Sequence, residues 1–266
     1  MQKKRQNLKD GGLNNDLLFI HICKKEGILL FFHGTKSNEG VRDTNKLLKT
    51  FKKENKKYTI KIGYLEIRKP TIEDQLDFFF KRKFENLLII PAMIFSGNHV
   101  TKDIPKILSN LKKNYKTSPK VFINPPLLKS KKFFYAIQNN LIKSLKIVDT
   151  KKRCLIVVAS KTINFKAKAE INHLAGKIAR KNKFSFYKEI LITLNKKNLK
   201  KNLNRLSLKY SGFLVLPLFL FRGRLLESLR SVVKEINKKK KKKFILCSHA
   251  IDCKEIYSVI NNLIKS

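Results

Sequence analysis

Apolar and polar positions change rhythm again and again after Gly27. Ile28–Phe32 is a continuous apolar run of strand length. Gly40–Lys52 then spaces Val41, Leu47, Leu48 and Phe51 as one face of a helix. Tyr58–Leu65 reads as a strand, and Thr71–Phe80 as a helix with Ile72, Leu76, Phe79 and Phe80 turned inward. Thr71, followed three residues later by Asp74, suits the helix start. Leu87–Ile90 and Val121–Ile123 are the next strands, His99–Leu111 and Lys132–Leu145 the next helices. Strands that alternate with helices predict a parallel sheet covered on both faces.

The pattern then recurs. Cys154–Ser160 echoes Ile28–Gly34, Leu214–Gly223 echoes Leu88–Gly97, and Phe244–Leu246 echoes Val121–Ile123. Pro91 and Pro217, Phe95 and Phe221, and Gly97 and Gly223 all stand 126 residues apart. The expected architecture is α/β, with two similar domains, each a small parallel sheet flanked by helices. Residues 1–26 are expected to be a basic tail, with a short docking segment at Leu17–Ile20. Residues 27–149 form the first domain and 150–266 the second.

Composition narrows the class. At 42% hydrophobic over 266 residues, the chain can bury a sizeable core. Its apolar runs fall short of the roughly 20 residues a spanning helix needs, and the basic start has no signal-peptide core. Neither a membrane span nor secretion is expected. Four cysteines without framework spacing fit a reducing cytoplasm. The net charge of +41 suggests a polyanion, an anionic small substrate, or compositional drift toward Lys, Asn and Ile. No RNA-binding signature or helix-turn-helix pattern supports dedicated nucleic acid binding. The lysine block Lys238–Lys243 reads as a solvated loop.

Three titratable residues follow the first three strands: His33, Glu66 and His99, at even steps of 33 residues. Ligand-handling side chains in α/β proteins sit beyond the carboxyl ends of parallel strands. With neighbouring strands ~4.8 Å apart, these three can meet over one cavity. Two imidazoles and a carboxylate can hold a divalent metal or accept protons. The offset of 126 aligns His33 with Ala159 and His99 with Leu225. The metal chemistry therefore belongs to the first half, and the second half is expected to form the other wall of a cleft. Cys247-Ser-His249-Ala-Ile-Asp-Cys253 fits no zinc-finger spacing. His173 reads as a surface or boundary residue.

Phe32-His33-Gly34-Thr35, Tyr64-Leu65-Glu66, and Ser96-Gly97-Asn98-His99-Val100 followed by Asp103-Ile104-Pro105 together resemble the class II tetrapyrrole chelatases, most of all the CbiX-type sirohydrochlorin chelatases. The resemblance is strong over about residues 27–130 and weaker over 152–266. It implies two chelatase-like domains and a lyase that inserts Co²⁺ or Fe²⁺ into sirohydrochlorin in cobalamin or sirohaem biosynthesis, without a nucleotide. It implies His33 and His99 as metal-handling, proton-accepting histidines assisted by Glu66. Asn98 stands where the family usually has glycine, and Thr35 where it has serine. A carboxylate-rimmed substrate suits a basic cleft. Arg42, Arg68, Lys102, Arg222 and Arg224, near the expected strand ends, are its candidate partners. Phe95, Phe221, Met93 and Leu127 could offer apolar surface to the ring. The internal duplication suggests a cleft complete in one monomer. The rival readings are a metal or tetrapyrrole carrier without turnover, and a basic nucleic-acid-binding protein.

Overall fold

The computed structural model describes residues 25–95, 97–145, 153–207, 210, 212–239, 244–250 and 255–264. The expected tail, the segment between the halves, Lys240–Lys243 and Cys253 therefore lie outside the described residues, apart from the last two positions of the tail.

The first half runs β1 (Glu26–Phe32), α1 (Asn38–Glu54), β2 (Thr59–Tyr64), α2 (Ile72–Lys81), β3 (Asn86–Pro91), α3 (Ile104–Asn114), β4 (Lys120–Ile123) and α4 (Lys131–Leu145). The second half repeats it with β5 (Arg153–Ser160), α5 (Phe165–Lys181), β6 (Phe186–Ile192), α6 (Lys196–Ser207), β7 (Gly212–Pro217), α7 (Arg224–Lys239), β8 (Phe244–Leu246) and α8 (Glu255–Asn262). Each half forms a four-stranded parallel sheet, ordered β2-β1-β3-β4 and β6-β5-β7-β8. The strand order reverses beside β1, so β1 and β3 flank the point where α/β sheets open a crevice.

Strand alternation explains the layers. Ile28, Leu30 and Phe32 of β1 enter one core cluster, while Leu29 and Phe31 enter another. Successive side chains of a strand point to opposite faces. In β5, Leu155, Val157 and Ala159 take the first side, and Cys154, Ile156 and Val158 the other. The outer faces are covered by α2 and α3 in one half and by α6 and α7 in the other. The inner faces of both sheets share one continuous core with α1, α4, α5 and α8. Within it α4 packs on β7 and α8, and α8 packs on α1. The last helix of each half thus contributes to the other half's cover. Asn124 Nδ2 donates to the Leu263 carbonyl, and Asn55 Nδ2 to Asn261 Oδ1 at 2.7 Å. Among the described residues, no helix is long and apolar enough to cross a membrane.

Thr71 caps α2 as the sequence predicts. Its hydroxyl accepts from the Asp74 N–H at 3.1 Å, and Asp74 Oδ2 accepts from the Thr71 N–H at 2.8 Å. These bonds from Thr71, backbone first, hold the Asp74 carboxyl below its ordinary range. Replacing Thr71 with alanine is expected to cost about 1 kcal/mol, read as a lower urea midpoint at unchanged slope. Burial pushes the Cys154 thiol up to about 12, so this inward residue is unreactive packing.

Candidate metal centre

β1 ends at Phe32, but its ladder does not. The Phe32 carbonyl accepts from the Leu65 N–H and the His33 carbonyl from the Glu66 N–H, both at 3.0 Å. These bonds carry the chain after β2 alongside His33 and set Glu66 next to it. Gly34 permits the approach. It has φ +104°, and a Cβ there would stand 2.0 Å from the Glu66 carbonyl oxygen, so only glycine fits. Arg68 Nε ties the same two loops by donating to the Thr35 carbonyl at 2.6 Å.

His99 arrives from the other side. After β3 the chain enters a single π-helical segment, His99–Asp103, before α3 begins. The expected helix over His99–Leu111 therefore starts as a wider turn, and the Ile104 N–H bonds back to the His99 carbonyl. Such segments recur at functional sites because they re-aim one residue. Pro105, in the first turn of α3, needs no N–H there. His99 Nδ1 lies 2.7 Å from Asp103 Oδ2. An ionised carboxylate can only accept, so the ring proton sits on Nδ1 and Nε2 is left to face a ligand.

The His33 and His99 rings meet edge to face, with centroids 5.1 Å apart, and His33 Nδ1 is 3.8 Å from Glu66 Oε2. Ligand atoms of His33, Glu66 and His99 all lie within 4.8 Å of one another. It is the one group of three such side chains among the described residues. The His33 and Glu66 side chains are about half exposed and His99 is 30% exposed. The triad is thus accessible to solvent. In the sequence Asp103 stands out only as part of the Asp103-Ile104-Pro105 motif; its place four residues after His99 is the signal that its carboxylate reaches the ring. Replacing Asp103 with asparagine is expected to weaken Co²⁺ binding about 10- to 100-fold, measured by calorimetric titration, with little change in the urea midpoint.

The second half closes in beside the triad. Phe221 meets Phe32 edge to face at 5.2 Å. Asn164 Nδ2 donates to Asn98 Oδ1 at 2.8 Å, and Ser37 Oγ donates to Glu227 Oε1 at 3.2 Å. Gly40 lets α1 approach so closely that a Cβ there would stand 2.2 Å from the Arg222 carbonyl oxygen. The register corrects one expected alignment: β5 pairs with β6 as β1 does with β2 at an offset of 127, so Ala159 takes the place of Phe32 and Ser160 that of His33, while Leu225, the counterpart of His99, packs against the outer core of the second half.

Among the expected carboxylate partners, Arg42, Lys102 and Arg224 are exposed and Arg68 is partly buried. Arg222 departs from expectation. Its Nε donates to both Asp43 oxygens at 3.1 and 2.9 Å, its Nη2 to Asp43 Oδ1 at 2.5 Å, and its backbone N–H to Asp43 Oδ2 at 3.1 Å. Glu39 adds an ion pair at 3.6 Å. A guanidinium fork so engaged is a clamp between the halves and not an open receptor. The fully buried His249 sits 3.9 Å from the same carboxylate. It lies in the core and not on a surface metal motif with Cys247, which is also buried. Leu127 is completely buried and so offers no surface to a ring. His173 is exposed on α5, as expected.

The CbiX family model matches residues 27–144 and 155–266, once in each half. The sirohydrochlorin cobaltochelatase of Methanococcoides burtonii is 32% identical over 87 residues, covering 33% of this chain and 66% of that protein. That of Methanosarcina barkeri is 28% identical over 111 residues, covering 39% of this chain and 85% of that protein. A crystal structure of the sirohydrochlorin chelatase SirB from Bacillus subtilis subspecies spizizenii in complex with cobalt superposes with a TM-score of 0.71. It covers 90% of this chain and 94% of that one at 18% identity, a likeness of fold.

Proposed function

The chain belongs to the CbiX family, and from that premise we propose that it is a sirohydrochlorin chelatase, inserting Co²⁺ or Fe²⁺ into the macrocycle. The observation that carries this reading is the convergence of His33, Glu66 and His99 at the carboxyl ends of three adjacent parallel strands.

Two imidazoles and one carboxylate bind a divalent first-row metal well, and three protein ligands leave positions for the incoming ring nitrogens. The metal substrate rests between His33 and His99 with Glu66 beside it. The ring enters over the open side. As the metal passes to the ring nitrogens, the two pyrrole N–H protons leave, and Glu66 and the freed imidazole nitrogens accept them. Asp103 keeps His99 oriented throughout. The excess of basic residues draws in an anionic substrate, with Arg42, Lys102 and Arg224 as exposed cations for its carboxylates. Both walls of the cleft come from one chain, which supports a monomer. The buried Cys154 and Cys247 suit a reducing cytoplasm.

The test mixes purified protein with sirohydrochlorin and either Co²⁺ or Fe²⁺ without oxygen and follows the visible spectrum against a protein-free control. Faster metallation supports a chelatase, and the faster metal names the route: cobalt for cobalamin, iron for sirohaem. A shift on binding without faster metallation would make the protein a carrier and overturn the enzymatic reading.

A further inference from the structure

The loop after β5 is the second half's counterpart of the loop that carries His33, but it holds no metal ligand. It reads Lys161-Thr162-Ile163-Asn164-Phe165-Lys166 and continues into α5. Ile163 is 80% exposed and Phe165 84% exposed, the two most exposed large apolar residues among those described. Burial normally rewards such side chains, so two nearly naked ones on either side of one residue ask for an occupant.

The residue between them fixes where they stand. Asn164 caps α5 by accepting from the Ala167 N–H at 2.9 Å, and its own N–H donates to Thr162 Oγ1 at 3.1 Å. Its amide donates to Asn98, the residue before His99. The loop is therefore ordered, and it sits at the mouth of the metal centre. Lysines interleave with the apolar pair. Lys161, Lys166 and Lys168 are exposed, and Lys168 Nζ lies 5.2 Å from the centre of the Phe165 ring. Apolar surface edged by ammonium groups matches a flat macrocycle with an apolar face and an anionic rim.

Resting on the chelatase reading above, we infer that Ile163 and Phe165 form the apolar platform against which the tetrapyrrole lies, with Lys161, Lys166 and Lys168 meeting its carboxylates. The second half, which has no counterparts of His33 and His99, is on this view the substrate-holding wall.

The experiment titrates metal-free sirohydrochlorin, followed by its visible absorbance, into the wild-type chain and the double variant Ile163→Ser, Phe165→Ser. Co²⁺ titrations run in parallel. Both residues are exposed, and Asn164 keeps its cap, so the variant retains the fold. The expected result is a ring Kd raised about tenfold with Co²⁺ affinity unchanged. Replacing the three lysines with glutamine should also weaken ring binding and flatten its salt dependence. Ring affinity equal to wild type in the serine variant would overturn the platform while leaving the chelatase reading intact. Absence of ring binding by the wild-type chain would overturn both. Loss of self-association without loss of ring affinity would assign the patch to a second copy of the chain and overturn the inference.

Discussion

Alanine at both His33 and His99 is expected to abolish metal insertion, lowering the single-turnover rate by a factor of about 10³ or more. The two rings touch edge to face at 5.1 Å, and with Glu66 they supply every ligand of the triad. Removing both leaves one half-exposed carboxylate, which binds a divalent ion weakly. Calorimetry should show Co²⁺ binding lost together with activity. His33 lies beyond the end of β1 and His99 opens the π turn, and neither belongs to the buried core. The urea midpoint should therefore stay close to wild type. Full activity in the double variant would remove both histidines from the site.

Replacing Asp43 with alanine is expected to destabilise the chain by about 3 kcal/mol. The Asp43 side chain is 9% exposed and that of Arg222 32%, so the deletion takes from a largely enclosed guanidinium its main carboxylate, with the longer ion pair to Glu39 remaining. Burial pushes the Asp43 carboxyl up, but the hydrogen bonds and charge of Arg222 outweigh it and hold the pKa below the ordinary 3.8. The sign follows. A lowered carboxyl pKa stabilises the fold above the unfolded-state value, and the contribution fades as pH falls through the lower, folded value. Urea midpoints should thus drop in the wild-type chain below about pH 4, and Asp43→Asn should flatten that drop. Identical acid limbs would mean that the clamp does not govern acid stability.

How much of this was legible in the sequence depended on whether the cue was local. The strands announced themselves through apolar runs, and the capping box of α2 through Thr71 and Asp74. The duplication showed in three shared offsets, and the triad in two histidines and a glutamate that each follow a strand. What the sequence could not carry was partnership across distance. Arg222 read as a cation near a strand end because nothing in its own segment points to Asp43, 179 residues away. Asp43 is one polar position in the helical spacing of α1, with no local cue of its own. The exchange of α4 and α8 was hidden for the same reason, since an amphipathic stripe tells that a helix is covered but not by which sheet. His99–Leu111 has helical periodicity, yet the five-residue π turn at its head leaves no mark in the apolar spacing.

That the second half has no counterparts of His33 and His99 has a consequence for substrate geometry. Two equal halves would face each other across the cleft with a ligand set on either side, and a flat ring could be served from above or below. With Ser160 and Leu225 in place of one set, the two faces of the ring are no longer equivalent. One face meets the ion and the other meets only the wall. Under the proposed activity each chain loads a single ion per turnover, always through the same face of the macrocycle. A gap between two like halves that carries ligands on one side only has a loading side and a blank side.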